Sequence, residues 1–134
     1  MLLAERQVHI LGWDIHSETR LVGPSGHADD GLPIELGAFL TGLLEAKPEL
    51  RINILIWDFA ALYAVEREWN SADKFMAAGR GRIRFCMDAS LPLGSSQHQK
   101  IVVIDNAIAF SGGLDLTIRR WDTSEHLADL PFRR

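Results

Sequence analysis

A change of hydrophobic period around Pro48 decides the class of fold. Leu36, Phe39, Leu40, Leu43 and Leu44 recur at the three-and-four spacing of one helical stripe, with Pro33 at a helix-start position and Pro48 ending the pattern. Across residues 50–57 the period falls to two, so Leu50, Ile52, Ile54 and Ile56 share one face of a strand. Residues 8–13 are apolar strand formers, and the Gly-, Pro-, Ser- and Asp-rich stretch up to Gly31 reads as a loop. Phe59, Leu62, Val65 and Trp69 predict a further helical face, and Ser71 is placed to cap a short helix ending near Gly79. Ile83, Phe85 and Met87 alternate with Arg82, Arg84 and Cys86, which predicts a third strand. Two apolar runs, 101–104 and 107–110, flank Asp105-Asn106, a pair that accepts the positive φ of a tight turn, so they predict a hairpin. Strands alternating with helices and ending in a hairpin imply an α/β fold, a mixed sheet flanked by helices.

A chain of 134 residues, 47% of them hydrophobic, suits a single domain spanning 1–134, and no internal repeat or linker divides it. A formal charge of −4 gives no basic footprint for a nucleic-acid backbone, which makes nucleic acid the less favoured partner. The longest apolar stretch, 54–65, is broken by Asp58 and falls short of the roughly 20 residues of a membrane-spanning helix. Glu5 and Arg6 stand where the apolar region of a signal peptide would lie, so the chain reads as unexported and cytoplasmic. One cysteine, Cys86, forms no internal disulfide and is expected to be a small buried hydrophobe.

The chemistry concentrates between His98 and Gly113. His98 and Lys100 stand two apart at the start of a predicted strand, a spacing that sends both side chains from one face towards one phosphate. A neutral imidazole nitrogen is a competent nucleophile at phosphorus, and an ammonium offsets charge growing on the non-bridging oxygens. Neither role calls for a metal or another cofactor. Asp105, of opposite parity and at the turn, is expected to fix the hairpin electrostatically. Gly112 and Gly113 let backbone N–H groups approach an anion, and Ser111 adds a hydroxyl. A His-x-Lys followed at fixed spacing by Asp arises by chance in about one chain of this length in a hundred. The glycine pair lowers that by about two more orders of magnitude.

The segment from His98 through Lys100 and Asp105, closing in Ser111-Gly112-Gly113-Leu114-Asp115-Leu116, resembles the HxKxxxxD signature of the phospholipase D superfamily with its trailing glycine motif. Many members have Gly-Ser-x-Asn where this chain has Gly112-Gly113-Leu114-Asp115. With Arg120-Trp121-Asp122-Thr123 and Glu125-His126, this form is similar to the first of two motifs in phospholipases that act on membrane lipids. Residues 10–14 and 56–58 are also similar to the opening strands of that half. The resemblance implies a phosphohistidine formed by one motif histidine while a histidine from a second motif protonates the leaving alcohol. It also implies a phospholipid substrate and a peripheral membrane contact, with Lys100, Ser111, Gly112, Gly113 and Asp115 around the phosphate. This chain carries one copy; His9, His16, His27 and His126 have no lysine two residues on. The second copy is expected from a homodimer partner or from a missing C-terminal half, and the ending after Phe132-Arg133-Arg134 favours the half.

Asp122 and Glu125, with Asp115 third, are the carboxylates placed to orient His98. Arg119 and Arg120 have guanidinium groups suited to phosphate but read first as a solvated pair. Trp13 and Trp57, in strands, are expected in the core. A metal-independent phosphodiesterase of phospholipase D type is the leading expectation. A nuclease of the same superfamily and a catalytically silent pairing half-domain are the alternatives.

Overall fold

A computed structural model describes residues 1–21, 27–28, 30–58, 67–92, 94–120, 122 and 124–127. Its elements run in the order β1 (Gln7–Gly12), α1 (Leu36–Ala46), β2 (Arg51–Trp57), α2 (Ser71–Gly79), β3 (Ile83–Asp88), β4 (Ile101–Ile104) and β5 (Ile108–Ser111). The expected helical face Phe59, Leu62, Val65, together with Trp121, Thr123 and residues 128–134, lies outside the described residues. Five strands form one mixed sheet in the order β3-β2-β1-β4-β5. β1, β2 and β3 are parallel, and β4 runs antiparallel to both β1 and β5.

Register turns the period-two pattern into a core. Ile104, Val8, Ile52 and Ile83 form one cross-strand row, and Val102, Ile10, Ile54 and Phe85 form the next on the same face. Against that face lie Leu36, Phe39, Leu40, Leu43 and Leu44, the five residues of the α1 stripe, with Phe75 of α2. Burying such a face is the main favourable term in folding. Phe75 also stacks on Phe85, ring centroids 5.9 Å apart. The opposite face is only half covered: Leu11 and Leu55 are half-buried, and Cys86 is exposed rather than buried as expected.

α1 starts later than Pro33 because the chain before it is tied to the loop after β1. Leu21 donates to the Ile34 carbonyl at 2.8 Å, and Arg20 and Glu35 form an isolated bridge. The first-turn N–H groups of Leu36 and Gly37 donate to Thr19 and Ser17 carbonyls at 2.9 and 2.7 Å, which satisfies donors that a helix leaves unpaired. At the other end Arg82 caps the carbonyls of Leu44 and Lys47 at 2.7 and 3.0 Å.

Ser71 is the first residue of α2, not its cap. Asn70 takes the cap position in a left-handed conformation (φ 60), and no side chain caps the helix. Trp69, expected on a helical face, is 82% exposed in the turn before it. The hairpin forms as expected: Asp105 and Asn106 have φ of 50 and 55, and Ala107 donates to the Ile104 carbonyl at 2.9 Å.

Candidate active site

The chain places β2 and β3 on one side of β1 and then returns to lay β4 on the other. In open α/β sheets a crevice opens at such a reversal, beyond the carboxyl ends of the parallel strands. Leu11 pairs with Ile101, so the residues just after β1 and those just before β4 meet at that end. A cleft of about 190 Å³ lies there, lined by apolar Ile10, Val102, Phe110, Leu114 and Leu116 and by polar Asp14, Lys100, Ser111 and Asp115.

Lys100 is buried, at 8% exposure, an unusual place for a lysine and one that demands partners. It has two: its ammonium sits 3.1 Å from Asp115 Oδ2 and donates to the His98 carbonyl at 3.1 Å. Asp115 is held in turn by the N–H groups of Trp13 and Asp14, which donate to its Oδ1 at 2.8 and 3.3 Å. Gly12 leaves room for this arrangement, since a Cβ there would lie 3.3 Å from Asp115 Oδ1 and 3.2 Å from the Asp14 carbonyl.

Behind Asp115 the loop after β1 is stitched to the segment after β5. Ile15 and Leu116 form a bridge, and the Leu116 carbonyl accepts from His16 N–H at 2.9 Å and from the Thr19 hydroxyl at 3.0 Å. The Thr117 hydroxyl donates to Asp14 Oδ2 at 3.2 Å. Asp14 is buried, and its Oδ1 has an ion-pair neighbour, Arg67 Nε at 3.4 Å, but no hydrogen bond among the described residues. Burial pushes its carboxyl above the ordinary aspartate range, with the nearby Asp115 charge adding to this and Arg67 and Thr117 opposing it. Glu68 fastens the same loop: it accepts from the Ser17 N–H at 2.7 Å and from Lys74 at 2.6 Å. These bonds outweigh the effect of its burial and hold its carboxyl below the ordinary range.

The sequence-predicted residues separate into three groups. His98 and Lys100 do not leave one face of a strand, because β4 begins only at Ile101; His98 is exposed while Lys100 is buried. The His98 ring has no hydrogen bond or ion pair among the described residues. Gln97 bonds to Asp88 at the end of β3, which ties down the approach to His98.

Asp105 lies at the far end of β4 from Lys100. It accepts the N–H groups of Gln7, Glu5 and Arg6, each at 2.8 Å, and these bonds hold its carboxyl below the ordinary range. It therefore clasps the start of β1 to the hairpin.

The carboxylates expected to orient His98 are elsewhere. Asp115 faces Lys100, Asp122 pairs with His126 at 2.7 Å, and Glu125 is exposed. Ser111, Gly112 and Gly113 are exposed at the end of β5, and the Gly112 N–H is taken by the Lys100 carbonyl at 3.1 Å. Arg119 and Arg120 are both exposed. Sequence reasoning gave no role to Asp14, Thr117 or Arg67; an acid directly after a strand end, as Asp14 is, was the available signal.

Together these features define an α/β protein that holds a buried ammonium at the reversal of its sheet. No family model matches the chain. It is 32% identical over 120 residues to phospholipase D C of Dictyostelium discoideum, covering 89% of this chain and 7% of that protein. Over 152 residues it is 26% identical to phospholipase D alpha 1 of Oryza sativa subsp. japonica, covering 92% of this chain and 18% of that protein. A shorter stretch of 31 residues, 23% of this chain and 3% of that protein, is 52% identical to phospholipase D1 of Homo sapiens. The chain is a relative of the phospholipase D superfamily, and it spans less than a fifth of the length of each of these proteins.

Proposed function

We propose that the chain supplies one motif of a metal-independent phosphodiesterase of phospholipase D type. The observation that carries this reading is the pairing of an exposed imidazole, His98, with a buried, charge-balanced ammonium two residues on whose N–H bonds the His98 carbonyl. An imidazole open to solvent is free to meet phosphorus, and Lys100 is fixed where it can bind a non-bridging oxygen.

One motif histidine attacks phosphorus as the bond to the leaving alcohol breaks, giving a phosphohistidine. A second histidine gives its proton to that alcohol. Water then attacks the phosphohistidine and returns a proton to the second histidine, and phosphatidate leaves. An alcohol in place of water gives phosphatidyl transfer. His98 fills one of the two histidine roles. The other comes from a homodimer partner, whose two-fold axis would bring His98 to His98, or from a second motif elsewhere in a longer polypeptide.

The names of the relatives and the apolar lining of the cleft beside Lys100 favour a phospholipid over a nucleic acid. The test is turnover of phosphatidylcholine vesicles and of single-stranded DNA, side by side, with and without EDTA. The expected result is release of choline that survives EDTA and falls by about 10²- to 10⁴-fold in both His98→Ala and Lys100→Ala. DNA cleavage without lipid turnover, or activity lost to EDTA and restored by a divalent ion, would overturn the reading.

A further inference from the structure

Asp115 closes the glycine motif, and its surroundings give that carboxylate a specific task. Its side chain is 7% exposed and both oxygens are engaged, Oδ1 by the N–H groups of Trp13 and Asp14 and Oδ2 by the Lys100 ammonium. A carboxylate so placed is a poor ligand for a phosphate, whose charge it would repel. It is a good anchor for a lysine. A lysine ammonium has three N–H donors. Asp115 and the His98 carbonyl take two of them, which leaves the third for another acceptor.

The anchor is rigid because Asp115 sits between two fixed backbones. Leu116 is bridged to Ile15, and Thr117 bonds Asp14, so the two residues that follow Asp115 are tied to the same loop whose N–H groups hold its carboxylate. That loop leaves the end of β1 beside the start of β4, where Lys100 stands. A lysine on four rotatable carbons gains most from such restraint, since ordering it beforehand removes a cost that binding would otherwise carry.

We infer that Asp115 is a positioning residue for Lys100: it aims the ammonium at an incoming phosphoryl oxygen and makes no contact with the phosphate itself. This rests on the phosphodiesterase reading of the site, and it has a part that is independent of turnover. The chain has three lysines, Lys47, Lys74 and Lys100, so each ammonium can be followed separately in a lysine-labelled sample.

The experiment compares the 134-residue chain with Asp115→Asn by nuclear magnetic resonance of the lysine ammonium groups and by calorimetric titration with inorganic phosphate. The expected result is a Lys100 ammonium that becomes more mobile and faster to exchange in the variant while Lys47 and Lys74 stay unchanged. Phosphate affinity should fall by about tenfold, the weight of one charge-assisted bond. Tighter phosphate binding in the variant would show that Asp115 merely repels the ligand and would overturn the inference, as would an unaltered Lys100 signal. Should the variant not fold, Asp115→Glu keeps the charge and shifts it by one methylene, and a smaller loosening of Lys100 alone is expected. If the unsubstituted chain binds no phosphate, the phosphodiesterase reading fails, while the lysine signals still report whether Asp115 fixes Lys100.

Discussion

Asp105 accepts the backbone N–H of Gln7 at 2.8 Å, joining the turn of the β4–β5 hairpin to the first residue of β1. The same carboxylate takes the N–H groups of Glu5 and Arg6, and these three bonds favour its ionised form. A carboxyl whose value is lowered on folding contributes stability above the unfolded value of about 3.9, and loses it as the pH falls through the lowered native value. Asp105→Asn should therefore melt at a lower temperature than the unsubstituted chain near neutral pH, with the gap closing in acid. Thermal unfolding across a pH series checks this, and a gap that persists unchanged in acid would contradict it.

Arg67 is the cation that balances Asp14, whose carboxylate is buried 3.4 Å from its Nε. It also donates to the Trp57 carbonyl at 2.6 Å, so it ties the ends of β1 and β2 together. Arg67→Met leaves a buried carboxylate without its partner, and the expected loss is about 3 kcal/mol by denaturant unfolding. Adding Asp14→Asn removes the unbalanced charge and should recover part of that loss. A double variant as unstable as the sum of the two single ones would contradict the coupling.

Gly79 ends α2 against the first residue of β3. A Cβ at this position would fall 2.4 Å from Ile83 Cγ1, so α2 approaches the sheet here only because no side chain intervenes. Gly79→Ala should cost about 1–3 kcal/mol through overpacking. In an Ile83→Gly background, which removes the obstructing Cβ as well as Cγ1 and Cδ1, the same substitution should cost much less, as unfolding of the four proteins of that cycle would show.

The elements that sequence reasoning located are those written in local pattern. The α1 stripe from Leu36 to Leu44, the alternation from Ile52 to Ile56 and the Asp105-Asn106 turn each follow from residues within a few positions of one another. Errors arise where distant contacts decide. Cys86 is expected inside because free cysteines are usually buried, yet it shares a face of β3 with Arg84, and both are exposed. Asn70 and Ser71 are both competent caps, and the left-handed entry to α2 settles on Asn70.

The site divides in the same way. The spacing of His98, Lys100 and Asp105 picks out the segment proposed to carry the chemistry. The burial of Lys100 against Asp115, and the N–H groups of Trp13 and Asp14 behind it, depend on β4 returning to pair with β1 some hundred residues later in the chain.

The proposed mechanism requires a histidine of this motif site either to carry the phosphoryl group or to protonate the leaving alcohol. Rapid mixing of the protein with phosphatidylcholine labelled at phosphorus, quenched under alkaline conditions that preserve phosphohistidine, tests it most directly. Label is expected on a motif histidine within the first turnover, unaffected by EDTA, and it should fail to turn over or to form in His98→Ala. Choline release at an undiminished rate in His98→Ala, or turnover with no labelled histidine, would contradict it.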